Sequence, residues 1–165
     1  MRVDTKQKIV SLVSLKRRIA QYRREGKSIA FTNGCFDILH YGHVNYLQKA
    51  KKPDRILIIG LNGDKSIKKI KGPKRPIVAE KERACVLAAL ACVDHVTIFQ
   101  DETPFNLINA LKPDILIKGS DWKGRDVAGS DIVKASGGKV EYMRYIPGSS
   151  STSIIETVLK RYAEK

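Results

Sequence analysis

Five short apolar runs, each followed by a stretch with helical spacing, restrict this 165-residue chain more than any other feature. They lie at residues 28–31, 55–60, 95–99, 114–117 and 140–145. Runs this short and this apolar read as strands buried on both faces. The segments between them are long enough to carry the helical crossovers that parallel strands need. The pattern therefore predicts an α/β fold: a single Rossmann-like, doubly wound parallel sheet with helices on both faces. There are no internal repeats, and 165 residues suffice to bury a core without disulfides.

Residues 1–27 read as an N-terminal amphipathic helix ahead of a domain spanning 28–165. Leu12, Leu15, Ile19 and Tyr22 recur at near-helical spacing among Lys16, Arg17, Arg18, Arg23 and Arg24, and Gly26 suits the position just past the helix end. A second helix runs over 42–51 and stops at Pro53. A third spans 79–91, with Val86, Leu87 and Leu90 toward the core. Thr103 is placed as an N-cap with Pro104 as first helical residue. A short helix falls near 130–135, and a terminal one begins at Ser151, its apolar face made by Ile154, Ile155, Val158 and Leu159. His95 reads as a strand-end or surface histidine. Cys85 and Cys92, two turns apart in an alanine-rich run, read as core packing.

The first run leads into Phe31-Thr32-Asn33-Gly34-Cys35-Phe36-Asp37-Ile38-Leu39-His40-Tyr41-Gly42-His43. A strand, a glycine-containing loop and a helix start aim backbone N–H groups and the positive end of a helix at whatever lies above the sheet. His40 and His43 fall on one helical face, with no side chain at Gly42 to obstruct them. This is the pattern of a phosphate clamp. Lys65, Lys68, Lys69, Lys71, Lys74 and Arg75 follow the second run's C-terminal end, the edge where open α/β sheets bind ligands. Ser151, Thr152 and Ser153 open the last helix and offer hydroxyls and amides to an anion. The formal charge of +14 favours polyanionic partners without choosing among nucleotide, sugar phosphate and nucleic acid. The three cysteines are odd in number and show no metal-ligand spacing, so no protein metal site is expected. No run has membrane-spanning length and no basic-then-apolar leader is present, which leads to the expectation of a cytoplasmic protein without a membrane partner.

Residues 32–43 resemble the HxGH motif of the cytidylyltransferase-like nucleotidyltransferases. The rest of the chain is similar to one branch, the sugar-phosphate adenylyltransferases that form ADP-heptose. The matching pieces run in family order: residues 60–66, 71–77, Arg83 with 86–90, Thr103-Pro104, 112–119, 137–140 and 151–155. Many relatives carry Gly-Gly-Asp where this chain has Gly119-Ser120-Asp121. The arginine that CTP-using relatives place just before their Ser-Thr motif has no counterpart here.

The resemblance implies roles. His40, His43 and Lys71 would be catalytic. Thr32, Asn33, Gly34, Cys35, Phe36, His40, His43, Lys118, Gly119, Asp121, Ser151, Thr152 and Ser153 would bind the nucleotide. Asp37, Asn62, Asp64, Arg83 and Trp122 would face the second substrate. The implied reaction moves AMP from ATP to a sugar 1-phosphate, D-glycero-β-D-manno-heptose 1-phosphate being the first choice, with Mg²⁺ carried in on the triphosphate. A phosphate monoester is already anionic near neutral pH and needs positioning rather than a base. Two alternatives stay open at this level. One is a CTP-dependent transferase acting on an alcohol phosphate such as glycerol 3-phosphate. The other is a non-catalytic basic module that binds nucleic acid, which the paired histidines and the Ser-Thr motif argue against. A homo-oligomer, dimer or higher, completes the expectation.

Overall fold

The computed structural model describes residues 4–144, 148 and 150–163. Strands β1 (Ser28–Gly34), β2 (Arg55–Asn62), β3 (His95–Phe99), β4 (Ile115–Gly119) and β5 (Lys139–Met143) form one parallel sheet in the order β3-β2-β1-β4-β5. The helices are α1 (Leu12–Arg24), α2 (Tyr41–Ala50), α3 (Asp64–Lys71), α4 (Glu80–Ala89), α5 (Phe105–Leu111), α6 (Ser130–Ala135) and α7 (Ser151–Tyr162). The chain builds outward from β1 through β2 to β3, then crosses back to lay β4 on the other side of β1. That reversal puts a crevice between the C-terminal ends of β1 and β4.

The apolar runs are buried on both faces because successive side chains alternate across the sheet. Ala30, Leu57, Ile59, Leu61, Ile115 and Ile117 meet Leu47 and Ala50 of α2 and Ala84, Leu87 and Ala88 of α4 on one face. Ile29, Phe31, Ile58 and Leu116 meet α1, α5 and α6 on the other, through Leu15, Ile19, Leu107, Ile108, Leu111 and Val133. The doubly wound sheet is thus as expected.

Helix α1 ends as its glycine predicts. Gly26 has a positive φ of 70°, and Lys27 N–H and Gly26 N–H close back on the carbonyls of Tyr22 and Arg23. Its apolar stripe is not an appendage, however. Leu15 and Ile19 are fully buried in the same core as Ile29 and Phe31, each burial contributing about 1.5–3 kcal/mol. Residues 9 and 10 extend the sheet past β3, where Val10 N–H donates to the Val96 carbonyl at 2.9 Å. The N-terminal segment and the sheet therefore share one core.

Several local expectations change. The inward face of α4 is Arg83, Ala84, Leu87 and Ala88, while Val86 is 47% exposed and Cys85 is exposed. An arginine on the core face displaced the apolar stripe by which that face was read. Cys92 lies beyond the helix and packs against the core edge. Pro104, not Thr103, takes the N-cap position of α5, without a side-chain cap bond. His95 starts β3 but is buried, its Nε2 2.8 Å from Tyr22 Oη. No residue of α7 is buried, and Val158 and Leu159 stand exposed. β5 ends at Met143; Tyr145, assigned to that strand from sequence, lies outside the described residues, as do Pro147 and Ser149 just ahead of α7.

Candidate active site

Strand β1 delivers Asn33 and Gly34 to the crevice, and the chain then turns through Cys35 and Phe36. Phe36 adopts φ 44°, a left-handed conformation that costs a non-glycine residue of order 1–3 kcal/mol and is found where a site requires it. Its ring tucks under the loop and lies 5.0 Å from the His43 ring. Gly34 makes room for it: a Cβ there would sit 2.9 Å from the Phe36 ring. The loop is thus bent so that Phe36 forms a floor for His43.

His40 occupies the N-cap of α2 in extended geometry, and its carbonyl accepts from His43 N–H at 3.0 Å and Val44 N–H at 3.2 Å. The two imidazoles stack, centroids 3.8 Å apart. Burial pushes the His43 pKa down to about 4, with His40 and Lys71 adding to the shift; burial lowers His40 as well. Near neutral pH both rings are therefore neutral hydrogen-bonding groups. The Nδ1 atom of each is buried without a protein partner. Polar atoms in that state are held for something the protein itself does not supply.

A cavity of about 410 Å³ opens over this edge, lined by Asn33, Gly34, Cys35, Phe36, His40 and His43 from the β1–α2 unit. Lys118 and Gly119 close it from β4, Trp122 from the helical turn that follows, and Asn62 from β2. Lys118 is 7% exposed, its Nζ donating to Asn33 Oδ1 at 2.6 Å and lying 5.2 Å from the Trp122 ring centroid. Burial pulls its pKa down to about 8, with Asp121 opposing the shift. Asp121 itself is exposed, and its Oδ1 occupies the place where a Cβ on Gly119 would be. Burial raises the Cys35 thiol pKa, leaving it protonated and unreactive at neutral pH.

Other predicted site residues stand behind the cavity. Thr32 is buried with its hydroxyl on Tyr46 Oη at 2.8 Å, so its backbone rather than its side chain serves the loop. Asp37 is 2% exposed and holds the segment after α3, accepting from Arg75 Nε, from Ile77 N–H at 2.7 Å and from Val78 N–H at 3.0 Å. Burial alone would raise its pKa; these donors outweigh it and hold the carboxyl below the usual range. Arg83, equally buried, donates to the carbonyls of Val78, Cys35 and Asn62 and to Asp64 Oδ1 at 2.7 Å. It knots the ends of β1 and β2 together. Asp37, Asp64 and Arg83 are thus committed to protein partners and do not line the cavity.

Lys71 is exposed at the end of α3, outside the lining but within electrostatic reach of His43 and Cys35. Ser151 ties α7 to the histidine loop, its hydroxyl donating to the Ile38 carbonyl at 3.2 Å and accepting from Ile38 N–H at 3.4 Å. Ser150 caps α7 by accepting from Ser153 N–H at 3.0 Å, and Thr152 is exposed.

Gly42, Tyr46, Ile70, Glu102, Thr103, Pro104 and Ala128 complete the lining and are not among the site residues expected from sequence. Residues 102–104 follow β3 at the same sheet edge, so tracing every strand's C-terminal end would have found them. Among the described residues no three His, Cys, Asp or Glu side chains cluster as a metal site, and Glu102 is the one carboxylate lining the cavity. None of the described helices is long and apolar enough to cross a membrane.

A parallel sheet whose strand-reversal crevice carries a bent amide loop and stacked histidines defines the nucleotidyltransferase class of α/β protein. The chain belongs to the cytidylyltransferase-like family, whose family model matches residues 31–157. It is 50% identical over 151 residues to the bifunctional protein HldE of Syntrophotalea carbinolica, covering 92% of this chain and 31% of that protein. It is 48% identical over 162 residues to the HldE protein of Trichlorobacter lovleyi, covering 98% of this chain and 33% of that one. The chain therefore spans about a third of the length of these curated relatives. Among solved structures it is similar to a lipopolysaccharide core biosynthesis protein from Thermoplasma volcanium, with TM-score 0.58 and 28% identity over 72% of this chain and 96% of that one.

Proposed function

We propose that this chain transfers AMP from ATP to the phosphate of a sugar 1-phosphate, D-glycero-β-D-manno-heptose 1-phosphate being the best candidate, and releases pyrophosphate. The observation that carries the reading is the stacked pair His40 and His43 beside the strand-end loop of residues 33–36, on one wall of a single cavity. Likeness to the HldE proteins and to a lipopolysaccharide core biosynthesis protein supports the sugar-phosphate acceptor.

The chemistry follows from the groups present. An oxygen of the acceptor phosphate forms a bond to the α-phosphorus of ATP while the bond from that phosphorus to the β-bridging oxygen breaks. The pyrophosphate leaves with the electron pair, and no proton has to move first. The protein's task is positioning and charge stabilisation. Neutral imidazoles at His40 and His43 donate hydrogen bonds to oxygens whose charge rises in the transition state. Backbone N–H groups of residues 33–36 orient the phosphates, and the capped start of α7 offers its amides to the β and γ groups. A donor set with one carboxylate in the lining fits a magnesium ion that arrives on the triphosphate, mainly ligated by phosphate oxygens and water. That ion supplies positive charge to the leaving pyrophosphate.

The test is pyrophosphate release from a panel of nucleoside triphosphates against sugar 1-phosphates and glycerol 3-phosphate, with His43→Ala as control. ATP with heptose 1-phosphate should give the highest kcat/KM. Preference for CTP with an alcohol phosphate would overturn the substrate assignment, and equal turnover by His43→Ala would overturn the role of that residue. Fractionation and light scattering decide two companion expectations, a cytoplasmic location and a homo-oligomer.

A further inference from the structure

We propose that the Lys118 ammonium is a catalytic group that contacts the α-phosphoryl group undergoing transfer, acting with His40 and His43 on the same phosphorus centre. This inference rests on the transferase reading above and assigns the source of its positive charge.

The argument is one of elimination. Transfer at the α-phosphorus concentrates negative charge in the cavity, and neutral imidazoles answer it only with hydrogen bonds. Four cationic side chains lie near enough to be considered. Arg83 is buried, but its guanidinium is spent on three carbonyls and Asp64. Arg75 is paired with Asp37. Lys71 is exposed and outside the lining. Lys118 alone, among the described cationic residues, lines the cavity. It is 7% exposed, and its Nζ donates to the neutral side chain of Asn33.

A buried ammonium with no carboxylate bonded to it is costly to the protein unless an anion completes the site. Asn33 belongs to β1 and Lys118 to β4, so their 2.6 Å bond fixes the amine at the strand reversal, across from the helix that bears the histidines. The neighbouring groups suit this placement. Trp122 lies on one side of Lys118, where a base or ribose can rest, and Ser151 is tied to the histidine loop where the phosphate tail would run. The α-phosphoryl group falls between them.

The groups facing Lys118 bear on any pH test. They are Asn33 from β1 and Cys35 just after it, His40 at the N-cap of α2 with His43 and Tyr46 from that helix, Glu102 from the segment after β3, Asp121 and Trp122 from its own loop, and Tyr142, its register partner on β5. Asp121 raises the Lys118 pKa against burial, and the amine titrates near 8 in the free protein. The alkaline limb of kcat/KM reports a free-enzyme group, so in the wild type it should fall near pH 8.

Lys118→Gln should lower kcat about 10²- to 10³-fold, the loss typical of one transition-state donor, with the thermal midpoint little changed. Lys118→Arg carries a charge that does not titrate in this range, so the limb near pH 8 should disappear. Wild-type kcat in Lys118→Gln, or a limb that stays near 8 in Lys118→Arg, overturns the assignment. Should these variants fail to fold or lack activity altogether, lysine NMR of the wild type decides. Binding of a non-hydrolysable ATP analogue must raise the Lys118 titration midpoint, and an unchanged midpoint overturns the proposal. No turnover by the wild type with any nucleotide and acceptor is a failure of the transferase reading. Wild-type turnover unaffected by Lys118→Gln is a failure of this assignment alone.

Discussion

Replacing Arg83 by methionine separates a structural knot from a substrate contact. The guanidinium is 2% exposed and satisfies the carbonyls of Val78, Cys35 and Asn62 and the carboxylate of Asp64. Methionine fills similar space but leaves these acceptors without their donor. Breaking a buried ion pair costs about 3–5 kcal/mol. Asp64, with 32% of its side chain exposed, can rehydrate in part, which places the loss toward the lower end of that range. The unfolding entropy of a 165-residue chain is about 0.35 kcal/mol/K at ~2.1 cal/mol/K per residue. The midpoint should then fall by about 9–11 °C. Thermal and urea unfolding of Arg83→Met, Asp64→Asn and the double variant measure this loss and the coupling between the two residues. The nucleotide Kd of the folded fraction should stay near wild type. A loss below about 1 kcal/mol together with abolished nucleotide binding would refute the reasoning and return Arg83 to the substrate.

Three further outcomes follow from the same geometry. His43→Ala should keep the fold and lose about 10²- to 10³-fold in kcat, read by pyrophosphate release. Asp37→Asn weakens the acceptor that holds Arg75, Ile77 and Val78, so limited trypsinolysis after Lys71 and Lys74 should speed up; unchanged cleavage would sink the tether. The pKa values of His43 and His95 are pushed to about 4 by burial, below their unfolded value of 6.5. The unfolded state therefore binds more protons between those values, and stability present above pH 6.5 is lost as the pH falls toward 4. Each histidine contributes at most ~3 kcal/mol to that loss. Urea midpoints at pH 7 and pH 4.5 should differ, and His95→Gln should reduce the difference.

The fold was readable because burial on both faces leaves a plain mark: short apolar runs with helices between them. The starts of β1 and α7 and the span of α6 match the reading, while β1 continues three residues past the apolar run, to Gly34. What the sequence obscured depends on side chains whose partners are far away in the chain. The resemblance turns Arg83 toward the second substrate, and only the meeting of residues 35, 62, 64 and 78 around it explains its burial. Asp37 sits within the motif and was read with it, yet its donors come from residues 75–78. The histidine pair was legible because it is local, three residues apart at a helix start. Lys118 lies at the edge expected of it, but its burial against an amide rather than a carboxylate is a fact of packing that no spacing reveals.

The bond between Asn33 and Lys118 joins two segments separated by 85 positions along the chain. A nascent polypeptide that has emerged only through β3 already carries both imidazoles, yet it lacks the ammonium that lines the same cavity. On the proposed role of Lys118, nucleotide occupancy becomes a readout of completed assembly. Any ligand that bridges this seam resists the withdrawal of β4 from β1, so unfolding under saturating nucleotide should begin elsewhere in the sheet.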